Sequence, residues 1–208
     1  NMRHAGALRI DHVMGLMRLY WIARDKSARE GSYVHYALDE MMAIVALESE
    51  RNRCMVIGED LGTVADEMRA ALVRYEMLSY RLLYFERADG GAFKPTADYP
   101  RNALVAVSTH DLATLAGWWN GHDLRVRLDL GLFPSQAVYE KQLVDRAQER
   151  VRLLLALQHD GLLPPGTVIE PTGPQTLTAE LVEAIQAFVA STPCRVMLVQ
   201  LEDTLGVK

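Results

Sequence analysis

Short apolar runs recur along this chain, and between them apolar residues fall at helical spacing. The runs cover residues 7–11, 54–58, 80–85, 104–108 and 196–200, and each predicts a β-strand. Four of the five are near-continuous rather than alternating, the pattern of strands covered on both faces. The intervals predict helices over 37–53, 63–76, 112–119, 135–159 and 178–190. The first carries Leu38, Met41, Met42 and Val45 on one face and a polar tail from Glu48 to Arg53. Thr63-Val64-Ala65-Asp66 fits a capping box at the start of the second. Ser135 and Thr178 are caps for the last two, and Gly161 follows the longer one. Residues 162–174 hold four prolines and two glycines, which predicts a loop. Strands alternating with helices imply a parallel sheet. Right-handed crossovers then put every strand's C-terminal end on the same side.

That side is where the chemistry is concentrated. Leu8-Arg9-Ile10-Asp11-His12, Ile57-Gly58-Glu59-Asp60-Leu61-Gly62 and Ser108-Thr109-His110-Asp111-Leu112 each close an apolar run with a carboxylate. Acids at the ends of successive strands meet at one mouth of a parallel barrel. Gathering carboxylates costs free energy, so three together imply a use. Arg9 and Asp11 are two residues apart on a strand and point the same way. A guanidinium beside Asp11 favours its ionised form, which a covalent nucleophile requires. Glu59 suits a general acid that later acts as base. Asp111, beside His110, suits binding sugar hydroxyls and stabilising an oxocarbenium-like transition state. Two carboxyl groups about 5 Å apart would make such a mechanism retaining.

Each motif alone also has a plain structural reading. Arg9-Ile10-Asp11 fits an ion pair on a strand. Gly58-Glu59-Asp60-Leu61-Gly62 fits a helix-capping turn. His12 and His110 fit core or loop positions, and Tyr33, Tyr36, Phe85, Trp118 and Trp119 fit ordinary packing as well as a sugar groove. Two other functions are compatible with acids at strand ends. One is a Mg²⁺-dependent barrel enzyme of the enolase type, although no Lys ends a strand here and Arg9 beside Asp11 disfavours a cation. The other is a non-catalytic, sugar-binding or structural piece.

Composition narrows the classes further. The chain has 208 residues, half of them hydrophobic, and a net charge of −5. There is no basic patch, so nucleic acid is not an expected partner. No apolar stretch approaches a membrane span, and Arg3, His4, Arg9 and Asp11 interrupt any signal-peptide core. Cys54 and Cys194 read as small buried hydrophobes, which points to the cytoplasm. A whole βα-barrel needs about 250 residues. The chain starts just before one strand and stops soon after another, with no closing helix expected. It therefore reads as an excised piece of a longer protein.

Several segments resemble the 4-alpha-glucanotransferases (amylomaltases, glycoside hydrolase family 77 of the alpha-amylase clan). They are Gly6 to Met14, Tyr20-Trp21-Ile22, Gly31-Ser32-Tyr33-Val34-His35-Tyr36, Val56 to Val64, Leu83-Tyr84-Phe85-Glu86, Ser108-Thr109-His110-Asp111-Leu112 and Gln200-Leu201-Glu202-Asp203. The resemblance implies a partial (β/α)₈ barrel, approximately strands four to eight, with residues 1–208 the C-terminal portion of one catalytic domain. It implies transfer of α-1,4-glucan segments between maltooligosaccharides, without cofactor or metal. By motif Asp11 matches the nucleophile, Glu59 the acid/base and Asp111 the transition-state stabiliser. Arg9, His12 and His110 match residues around the cleaved sugar, and Phe85 an aromatic near the acceptor side. Ala113 stands where the family usually has Pro, a difference in helix-start rigidity rather than chemistry. A five-strand piece of a barrel would have two raw edges and an uncovered face, so self-association and little activity in isolation are expected.

Overall fold

Strand β1 (Ala7–Ile10) forms where the first apolar run lies. A 3-10 turn (Val13–Leu16) leads from it into two strands that the apolar runs did not predict, β2 (Arg18–Trp21) and β3 (Ser32–His35). These form an antiparallel hairpin with Leu19 opposite Val34 and Tyr20 opposite Tyr33. Both strands are mostly exposed, so no buried face imposed a visible pattern. Helix α1 (Leu38–Asn52) follows, then β4 (Met55–Gly58), α2 (Asp66–Arg74), β5 (Ser79–Leu82) and β6 (Ala103–Ala106). The rest comprises α3 (Leu115–Trp119), α4 (His122–Asp129), α5 (Gln136–His159), α6 (Ala179–Ala190), β7 (Val196–Met197) and α7 (Leu201–Leu205). The computed structural model describes residues 1–170 and 176–207. The chain folds as two compact units, the first formed by 1–81 with 102–104 and the second by 82–101 with 105–208.

In the first unit β1 pairs β4 in parallel, with Arg9 opposite Ile57 and Ile10 opposite Gly58. The parallel ladder continues on the other side of β4, where Ile57 bridges Leu78. Its core is rich in methionine: Met14, Met42, Met68 and Met77 pack with Val13, Val56 and Leu72. Methionine is flexible enough to fill the irregular space between short strands and helices. Gly58, the last residue of β4, sits where a side chain would be crowded. A Cβ there would lie 2.8 Å from a Leu72 methyl and 3.0 Å from Val13, which is fully buried and stiff.

The second unit has a larger core. Leu153, Leu154 and Leu157 of α5 and Ile185 and Phe188 of α6 pack on Val105, Leu115, Trp118 and Trp119. β5 and β6 rise together, since Ser79 N donates to Asn102 O in the first unit and Leu83 N to Ala106 O in the second. β7 runs the same way on β6, with Arg195 N on Arg101 O and Leu198 N on Val105 O. The parallel sheets expected from the sequence are present, and all four residues of β6 are buried. β1 and β7 are only half-buried, because each is bonded to one neighbouring strand among the described residues.

Several boundaries differ from the expectation. α2 starts at Asp66 rather than Thr63, and its N-cap is Ala65 without a side-chain bond. The chain is still bending at Gly62 and Thr63, where Gly62 has φ +78°. The run 80–85 is strand only to Leu82, after which Phe85 N and Glu86 N both turn back to Leu82 O. α3 starts at Leu115 instead of 112, capped by Thr114. The run at 196–200 gives a two-residue strand, and α7 follows it where no closing helix was expected. α4 was invisible to periodicity because Leu124 is its one buried residue. It is held from outside by Asp123, which takes both Nη1 and Nη2 of Arg146 at 2.8 Å. Ser135 and Thr178 cap α5 and α6 as expected. Residues 162–170 are loop, and 171–174 of that stretch lie outside the described residues.

Candidate active site

Asp11 and Glu59 are the first residues beyond the paired ends of β1 and β4. The ladder carries past the strands to both of them. Glu59 N donates to Ile10 O (2.9 Å) and Val13 N to Glu59 O (3.1 Å). Adjacent backbones in a sheet lie about 4.8 Å apart, so the two acids stand side by side at one rim of the first unit. The expected Arg9–Asp11 pair is formed, Nη1 to Oδ1 at 2.8 Å, with the Asp11 side chain 78% exposed. The carboxylate is therefore open to solvent while the guanidinium orients it.

Glu59 is fixed by backbone donors. Its Oε2 accepts from His12 N (3.0 Å) and its Oε1 from Leu61 N (2.8 Å). His12, whose amide makes the first of these bonds, adopts φ +45°, ψ +62°. That left-handed conformation costs on the order of 1 kcal/mol outside glycine. The strain thus sits in the residue joining Asp11 to the 3-10 turn, the same residue whose amide donates to the neighbouring acid. His12, assigned to the sugar's surroundings by resemblance, also contributes through its backbone.

Three neighbours were not singled out from the sequence: Asp60, Tyr80 and Arg81. Asp60 turns inward and is buried; Oδ1 accepts from Tyr80 N (2.7 Å) and Oδ2 pairs with Arg81 Nη1 (3.1 Å). It fastens the Glu59 turn to the start of β5. Tyr80 lies under the Arg9 guanidinium, 5.7 Å from Cζ to ring centre. Burial pushes its phenol up, Arg9 pulls it down, and Glu59 raises it again. Two consecutive acids in Glu59-Asp60 gave the only prior signal, and only burial tells which of them faces solvent.

In the second unit Phe85, His110 and Asp111 leave by one end of a strand pair. Tyr84 N still reaches Val107 O at 3.4 Å, so the turn bearing Phe85 and the loop bearing Asp111 emerge together. Phe85 is half-exposed on that turn rather than on a strand. Asp111 is 79% exposed, and its Oδ2 lies 3.4 Å from His110 Nε2. Its amide donates to Thr109 Oγ1 (3.3 Å) and Leu112 N to Thr109 O (3.0 Å), which rounds the loop. Trp118 and Trp119, weighed as groove residues, are buried core, with Trp118 stacked on Tyr84 at 5.1 Å. Tyr33 is exposed on the hairpin, beneath Arg18.

The family model described as 4-alpha-glucanotransferase matches residues 1–208. A 4-alpha-glucanotransferase of Haemophilus influenzae is 42% identical over 206 residues, 99% of this chain and 29% of that protein. One of Mycobacterium bovis is 37% identical over 209 residues, 99% of this chain and 28% of that protein. The crystal structure of amylomaltase from Corynebacterium glutamicum superposes with a TM-score of 0.85 at 30% identity, over 97% of this chain and 29% of that one. The chain thus spans under a third of the length of the curated relatives it matches.

Proposed function

This chain belongs to the 4-alpha-glucanotransferase family, and on that premise we propose that it is part of a catalytic (β/α)₈ barrel that moves α-1,4-glucan segments between maltooligosaccharides. The partial α/β barrel and the membership stand on the superposition and the family match. They displace the enolase-type and purely structural readings. The substrate, the mechanism and the placing of residues 1–208 as the C-terminal portion of one domain are our reading.

The observation that carries it is the pairing of Asp11 and Glu59 across β1 and β4. Asp11, oriented by Arg9, attacks the anomeric carbon and forms a glycosyl ester. Glu59 protonates the leaving sugar oxygen, then deprotonates the acceptor hydroxyl that cleaves the ester. Backbones about 4.8 Å apart suit the short carboxyl separation of retaining enzymes. Asp111 is assigned to stabilising the oxocarbenium-like transition state, with Arg9, His12, His110 and Phe85 holding the flanking sugars. No step requires a cofactor. Among the described residues no helix is long and apolar enough to cross a membrane, and we place the protein in the cytoplasm.

The intact protein, given maltotriose, should release glucose and build longer oligosaccharides, with the new linkages α-configured by NMR. Products of inverted configuration, or hydrolysis alone, would refute this reading. The 208-residue chain by itself should show turnover below that of a protein of its relatives' full length by about 10³-fold or more, since it spans under a third of that length and positioning by the rest would be lost.

The isolated chain exposes Trp21, Ile44, Leu47, Met55, Leu198, Leu201 and Leu205, more apolar surface than isolated positions need. Among the described residues β1 and β7 add open edges. Sedimentation of the chain at micromolar concentration should show dimers or larger species, and a single monomeric boundary would contradict this.

A further inference from the structure

The loop that presents Asp111 is tied to the segment 200–207 at both of its ends. At the entrance Ser108, fully buried, donates its hydroxyl to Gln200 Oε1 at 2.9 Å. At the exit Leu115 N donates to Asp203 Oδ1 at 2.6 Å, and Thr114 Oγ1 donates to Val207 O at 2.6 Å. Between these ties the side chains of His110 and Asp111 project into solvent and touch each other. The place of the Asp111 carboxylate is thus set by its backbone, and the backbone is set by where its ends are fastened.

Asp203 is the costly member of this strap. It is 2% exposed, and among the described residues its Oδ2 has no hydrogen-bond partner. Burial pushes its carboxyl up, the Leu115 amide pulls it down, and Glu202 raises it. α3 does not need it as an ordinary cap, because Thr114 Oγ1 already accepts from Gly117 N at 3.0 Å. Asp203 instead takes the first amide of the helix, the one nearest the Asp111 loop. A half-satisfied buried acid destabilises a fold, so its place here calls for a role beyond packing.

We propose that Asp203, with Gln200 as its partner at the other end of the loop, is a positioning residue for Asp111, an inference that rests on the transferase reading above. The strap makes no direct contact with Asp111 or His110 but fixes the ends of the loop that carries both, and its effect is expected mainly on kcat because the stabilising carboxylate acts in the transition state.

The test is made in the intact protein with maltotriose. Asp203→Ala should lower kcat by about 10- to 100-fold, the scale of a small misplacement, with KM held within about threefold. Asp203→Asn keeps an oxygen for the Leu115 amide and should restore kcat to within about threefold of the parent. In an Asp111→Asn background Asp203→Ala should add less than about a twofold further loss, since its effect passes through a group already removed. Losses that multiply in the double variant, or Asp203→Asn as impaired as Asp203→Ala, would overturn the positioning role. If Asp203→Ala does not fold, Gln200→Ala must show the same dependence on Asp111, with a kcat loss of about 3- to 10-fold. If Asp111→Asn turns over normally, the transferase assignment of Asp111 fails and this role fails with it. If Asp111→Asn is crippled but the losses multiply, only the positioning role fails.

Discussion

Asp11→Asn in the intact protein is expected to reduce maltotriose disproportionation by about 10⁴-fold or more, the usual cost of removing a covalent nucleophile. The substitution keeps volume and keeps an oxygen for the Arg9 guanidinium, 2.8 Å away in the parent. The β1–β4 ladder is made of backbone groups and is not disturbed. The loss should therefore fall on kcat and leave the melting temperature within a few degrees of the parent. No glycosyl ester can form on an amide, so a 2-fluoro-substituted glucosyl donor that traps the parent covalently should leave this variant unlabelled by mass spectrometry. A variant with turnover within about tenfold of the parent, or with the label still attached, would remove Asp11 from the nucleophile's place.

Much of the site was legible because its determinants are local. Arg9 and Asp11 pair through the two-residue repeat of a strand, and Asp11 and Glu59 become neighbours because successive parallel strands end together. The cores were legible in part: α5 and α6 bury apolar residues along one face, while in α1 Met42 is buried with Leu38 and Val45 packed beside it and Met41, expected on the same face, is exposed. What escaped depends on contacts distant in sequence. The hairpin β2–β3 exposes both its strands and leaves no pattern. α4 rests on one buried leucine and an ion pair to α5. Asp60 stands next to Glu59 with nothing in the sequence to separate their roles, and only its burial against Tyr80 and Arg81 shows it to be a fastener. Asp203 ends the segment Gln200-Leu201-Glu202-Asp203 with no role visible in the sequence, because its partner, the Leu115 amide, is 88 residues away. The strained φ of His12 was likewise unreadable, since the sequence does not show which residue turns the chain out of β1.

Glu59→Gln is expected to lower turnover on maltotriose by about 10²- to 10⁴-fold, the range that proton transfer by a positioned group contributes. Its geometry adds a second cost. Both carboxylate oxygens accept backbone amides, one from His12 and one from Leu61. An amide side chain offers one oxygen and one NH₂, so one of those donors must face another donor. That mismatch costs about 1–3 kcal/mol, and it loosens the turn holding Asp11's neighbour. Activity loss alone would not separate the proton-transfer role from this disturbance. A donor whose leaving group needs no proton does so. With α-glucosyl fluoride the first step of Glu59→Gln should recover to within about tenfold of the parent, and added azide should be taken up as α-glucosyl azide, because a strong anionic nucleophile needs no base. If the fluoride is used no faster than maltotriose, relative to the parent, then Glu59 is not the acid/base and the damage comes from the displaced turn. Recovery with the fluoride and retention of the α configuration in the azide product together require that Asp11 is still seated correctly and that the missing function is the proton alone.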